Sequence, residues 1–114
     1  MKKTCMTPPD CCVIIEMERG ANLGYRKAVL LEEIRALGSL TKAAKVSKID
    51  QQHARDLIQE MNRSFSEPLV YFLGNPSLSD RVELTNKGLS TVKSYWLQFE
   101  PVWLSIIEER SRHY

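Results

Sequence analysis

The chain has 114 residues, 43% of them hydrophobic and 26% charged, with sixteen basic against fourteen acidic side chains for a net charge of +2. That length holds one domain around one core, and the composition is that of a globular chain. No apolar run reaches the length of a membrane span, and the two N-terminal lysines precede neither an apolar segment nor a small-residue cleavage site, so no membrane partner and a cytoplasmic location are expected.

Residues 1–11 contain Thr7-Pro8-Pro9-Asp10 and are expected to form a flexible N-terminus. All three cysteines, Cys5, Cys11 and Cys12, lie in the first dozen residues. An odd number argues against a disulfide framework, and His53 and His113 are too remote in sequence to complete a zinc set, so no metal or other cofactor is expected. The segment Cys12–Glu18 is β-rich and reads as a short edge strand, and Arg19–Gly24 reads as turn.

Three helices are expected next. Between Tyr25 and Leu37, Leu30, Ile34 and Leu37 fall on one face, and Gly38 is placed to end the helix. Ser39 or Thr41 can cap a second helix, in which Leu40, Ala43 and Ala44 form the buried side. Asp50 can cap a third helix, about Asp50–Ser64, whose stripe Ala54, Leu57, Ile58 and Met61 faces inward. Its other side carries Gln51, Gln52, Arg55 and Gln59, long polar groups suited to base edges and phosphates. From Thr41 to Arg55 the bases Lys42, Lys45, Lys48 and Arg55 face a single acid, Asp50, which makes a small cationic footprint.

After Pro68, the runs Leu69–Leu73 and Arg81–Thr85 have strand length and flank a loop over 74–80, predicting a β-hairpin. A hairpin behind a helix-turn-helix is a wing. The expected fold is therefore mainly α with a small β wing: a winged helix-turn-helix over 12–85, followed by a C-terminal dimerisation helix over 86–114. In that last helix Leu89, Val92, Trp96, Phe99, Trp103 and Ile106 repeat in a 3-4 rhythm and form the candidate dimer interface, part of which can instead fold onto the domain's own core. Pro101 predicts a kink or a break near Glu100, with a final helix to about Arg110 if the helix breaks.

These residues resemble the N-terminal DNA-binding domain of ModE-type molybdate-responsive regulators and, more distantly, that of LysR-type regulators. The resemblance rests on Gly38-Ser39-Leu40 before Ala43-Ala44, on Ile49-Asp50, Met61-Asn62 and Glu67-Pro68-Leu69-Val70, and on Leu84-Thr85 with Gly88 three residues later. It spans about Tyr25 to Tyr95 and implies DNA binding and dimerisation. Two places depart from the ModE-like pattern: the wing loop holds one glycine, and Gln51 follows the helix cap where an aromatic is usual. No counterpart of the molybdate-binding modules is expected, so the resemblance does not imply oxyanion sensing.

The expected function is that of a homodimeric transcriptional regulator on double-stranded DNA. Gln51, Gln52, His53 and Arg55 are the candidate base readers, and Ser39, Thr41, Lys42, Lys48 and Arg81 the phosphate contacts. The alternatives are a winged-helix protein-interaction module and a thiol- or metal-responsive regulator working through the cysteines. No catalytic residues are expected, because nucleophile-base spacings and a phosphate loop are missing, and the neighbouring pairs Glu32-Glu33 and Glu108-Glu109 do not face each other on a helix.

Overall fold

A computed structural model describes residues 13–74 and 80–111. The order of elements is β1 (Ile14–Glu18), β2 (Ala21–Gly24), α1 (Tyr25–Leu37), α2 (Leu40–Ser47), α3 (Gln51–Ser64), β3 (Val70–Phe72), β4 (Val82–Leu84) and α4 (Asn86–Ser111). The chain is mainly helical, with two antiparallel two-stranded sheets, β1-β2 and β3-β4. Among the described residues no helix is long and apolar enough to cross a membrane.

The helix boundaries follow from local chemistry. Gly38 closes α1 in the left-handed conformation at φ 67° and donates its N–H to the Ile34 carbonyl. Ser39 rather than Thr41 caps α2, accepting from the Lys42 amide, and Asp50 caps α3, accepting from the His53 amide at 2.8 Å. Lys48 ends α2 at φ 62°, an uncommon conformation for a side chain with a Cβ, and it turns the chain directly into α3.

The turn expected over Arg19–Gly24 is corrected in one respect. Ala21–Gly24, read as turn from its asparagine and glycine, forms β2 and pairs with the edge strand β1. Only Arg19 and Gly20 make the turn, with Gly20 at φ 79°. Ala21 and Leu23 alternate into the core and Asn22 points out, which is the pattern of a half-buried strand. The core itself gathers Leu23, Leu30, Leu31, Ile34, Leu40, Ile58, Met61, Leu69, Val82 and Tyr95. Leu37, placed on the inner face of α1 by its spacing, is instead 41% exposed, and Ala28 and Leu31 take part in the core.

The hairpin β3-β4 is fastened at both ends. Asn62 of α3 accepts the Leu69 and Val70 amides on Oδ1, at 2.8 and 3.1 Å, and donates Nδ2 to the Val70 carbonyl. Thr85 donates its hydroxyl to the Pro68 carbonyl and accepts the Gly88 amide, capping the first turn of α4. Gly88 packs so closely that a Cβ there would lie 2.1 Å from the Leu69 carbonyl oxygen. At the other end, the Leu40 amide bonds the Asp80 carbonyl, Val82 bonds the Gly38 carbonyl, and Ser39 and Arg81 form an isolated antiparallel bridge. The return strand is thus laced to the α1–α2 junction.

The helix α4 runs through Pro101 without ending, so of the expected kink or break near Glu100 the break does not occur. Proline removes the hydrogen bond to the residue one turn back. That residue is Leu97, 70% exposed, where water can satisfy the carbonyl. The expected stripe on α4 also divides. Val92 is buried within the protomer, and Trp96 and Phe99 pack partly against its core. Tyr25, Tyr95, Trp96, Phe99 and Trp103 form a chain of ring contacts with centroids 5.0–6.0 Å apart. Tyr95 completes the seam by donating its hydroxyl to the Val13 carbonyl, and Lys87 meets Glu18 at 2.6 Å. The sequence-predicted dimer residues Val92, Trp96 and Phe99 therefore serve the protomer's own packing, while Leu89 is 42% exposed.

Candidate nucleic-acid interface

Helix α3 is seated by Ala54, Ile58 and Met61, which leaves a row of Gln52, Asp56, Gln59 and Arg63 at spacings of 4, 3 and 4 on its exposed side. Gln51 is exposed at the start of the helix, and Arg55 is half-buried at the edge of the row. The Arg55 guanidinium stands 5.5 Å from the centroid of the Phe72 ring on β3, a cation–π contact that turns it toward the hairpin. Gln52 donates Nε2 to Asp56 Oδ1 at 2.9 Å. Held that way, its amide keeps one N–H and its carbonyl oxygen for a bidentate partner.

His53 does not join this row. It lies about 100° further round the helix than Gln52. There it lines a separate groove of about 250 Å³ with Tyr25, Val29, Lys48, Ile49 and Leu57. On the same flank, Glu60 is paired with Lys27 of α1 at 3.2 Å.

The expected phosphate contacts separate into two groups. Lys42 and Lys48 are exposed at the two ends of α2. Ser39 and Thr41 are engaged with the protein itself: Ser39 donates its hydroxyl to Asp80 Oδ2 at 2.7 Å, and both hydrogen-bond to the Asp80 carboxylate and hold its pKa below the usual range. The first turn of α2 thus already carries an anion, supplied by the segment leading into β4. Arg81 is exposed beside it. Cys5, Cys11, Cys12 and His113 lie outside the described residues.

Three residues were missed in the sequence. Asp56 lies midway along the α3 row, and its spacing from Gln52 and Gln59 gave the signal. Asp80 had no such signal, because its partner is 41 residues away, and the part Asn62 plays was unread although the resemblance quotes it, because its partners are 7–8 residues away. Asn62, Leu69, Val70, Thr85 and Gly88, which carry part of the family resemblance, are bound to one another in the hairpin's fastening. They build the support and are not part of the α3 row. Compared with protein-family profiles and with curated proteins, the chain matches none.

Proposed function

We propose that this chain is a winged helix-turn-helix protein that binds double-stranded DNA as a homodimer and regulates transcription from the cytoplasm, without catalytic or cofactor chemistry. The observation that carries this reading is the exposed Gln52, Gln59 and Arg63 row on a helix seated by its neighbours, with Arg55 bridging it to an adjoining hairpin. In this reading α3 enters the major groove, where glutamine suits adenine and arginine suits guanine. The hairpin β3-β4 is the wing. Lys42, Lys48 and Arg81 meet phosphates, and Ser39 and Thr41 hold the wing in place through Asp80.

Binding of labelled genomic duplexes, followed by fluorescence anisotropy at several salt concentrations, tests this. Affinity should fall steeply as salt rises, because phosphate contacts release counterions. Gln52→Ala and Arg55→Ala should each cost about 1–3 kcal/mol on a selected site and change binding to random DNA little. No binding at low salt would overturn the reading. One observation favours a second use of the same surface: Asp56 places a carboxylate in the middle of the row, which suits a basic protein segment better than a phosphate backbone.

A further inference from the structure

Helix α3 has a second outer flank, away from Gln52, where the groove that His53 lines combines two kinds of side chain. Tyr25, Val29, Ile49 and Leu57 are half-buried and give it apolar walls. Val46 adds an aliphatic side chain that is 54% exposed, and the remaining exposed members are Arg26, Lys48 and His53. No acidic side chain among the described residues lines it. Asp50, beside Ile49 in the chain, accepts the His53 amide, and Glu60 is paired with Lys27. Lys48 takes part in no ion pair among the described residues. Its left-handed backbone, with the N–H bound to the Ala44 and Lys45 carbonyls, fixes where its side chain leaves the end of α2. At about 250 Å³ the groove falls short of the roughly 300–1,000 Å³ of sites for drug-sized ligands, which leaves room for a body of one or two rings.

We propose that this groove binds a small aromatic carboxylate, its ring against Val29, Ile49 and Leu57 and its charge toward Lys48 and His53. Both halves of that ligand are needed. A bare inorganic anion would leave the apolar walls in water, and a neutral ring would leave the lysine unmatched. A duplex phosphate brings the charge without the apolar body. The site does not depend on the DNA reading, but one consequence does. In that reading Lys48 meets a phosphate, so a carboxylate held by Lys48 competes with DNA for it. His53, expected from the sequence to read bases, then reads the small acid instead.

Isothermal titration calorimetry of the full chain with β-naphthoate tests the site, with β-naphthylmethanol as the neutral counterpart. The acid should bind saturably and about tenfold or more tighter than the alcohol, with amide NMR shifts centred on Val29, Lys48 and His53. Val46→Glu brings a like charge to the groove and should weaken the acid by about tenfold or more. Lys48→Gln should weaken it by about two- to fivefold. Both positions are exposed, and circular dichroism checks that the variants fold. No saturable binding at millimolar naphthoate, equal affinity for the alcohol, or wild-type binding by Val46→Glu would each overturn the site and leave the DNA reading standing. Saturating naphthoate should also weaken duplex binding in fluorescence anisotropy; an unchanged duplex affinity overturns the competition at Lys48. A chain that binds naphthoate as described but no duplex at low salt keeps the site and loses the DNA reading.

Discussion

Replacing Gly88 by alanine tests the central packing argument most sharply. The new methyl group would stand 2.1 Å from the Leu69 carbonyl oxygen and 3.0 Å from its carbonyl carbon. Ordinary van der Waals contact begins at 3.4 Å, so Leu69 or the first turn of α4 must withdraw by about 1.3 Å. Neither side is free to do so. The Leu69 carbonyl accepts the Thr85 amide at 3.0 Å, its own amide is held by Asn62, and Thr85 grips both the Pro68 carbonyl and the Gly88 amide. Overpacking of this kind costs about 1–3 kcal/mol, and each hydrogen bond broken by the retreat adds about 1 kcal/mol. The better helix propensity of alanine returns at most about 1 kcal/mol. The net loss is about 2–4 kcal/mol, a fall in Tm of about 8–16 °C for a domain of this size. Thermal and urea unfolding followed by circular dichroism at one fixed protein concentration measures it. Gly20→Ala is the comparison: Gly20, unlike Gly88, has positive φ, and a Cβ there meets nothing within 4 Å, so it should lose only the backbone strain of about 1–2 kcal/mol. A Gly88→Ala chain within 0.5 kcal/mol of wild type would refute the reasoning.

Asn62→Ala leaves the Leu69 and Val70 amides without their acceptor in a part-buried place and should cost about 2–3 kcal/mol in urea unfolding, with the hairpin amides showing the largest gain in hydrogen exchange. Asp80 has its folded pKa lowered by Ser39 and then Thr41, so it stabilises the fold above its unfolded pKa and that contribution is lost as pH falls through the folded value. Ser39→Ala should therefore destabilise the chain at neutral pH, and its difference from wild type should shrink in urea titrations as pH falls below about 4, the ordinary carboxylate range. Asp56→Asn removes the carboxylate from the α3 row and should tighten binding to random duplex DNA at low salt; weaker binding to DNA of every sequence would contradict the proposal that the row faces DNA.

The amino-acid sequence by itself made the three central helices legible, with the cap of the second left between Ser39 and Thr41 and its end at Lys48 unread. Gly38, Ser39 and Asp50 act on amides or carbonyls three or four residues away, so their spacing in the chain is already their geometry. The hairpin after Pro68 was legible for the same reason, as two short β-rich runs around a polar loop. The amide-and-arginine side of α3 was legible too, since helical periodicity alone separates it from Ala54, Ile58 and Met61. Only the tertiary structure decided the rest. Ala21–Gly24 became a strand because Ala21 and Leu23 could be buried in the core and β1 could supply its hydrogen bonds, which outweighed two turn-forming residues. Pro101 remained inside α4 because the carbonyl it abandons lies at an exposed position, a fact about surroundings that the proline itself does not encode. The apolar stripe of α4 could not say which of its members would be used at home. That was settled by Tyr25, seventy residues earlier, whose ring meets Trp96 and Phe99, while Leu89, Leu97 and Leu104 stay exposed.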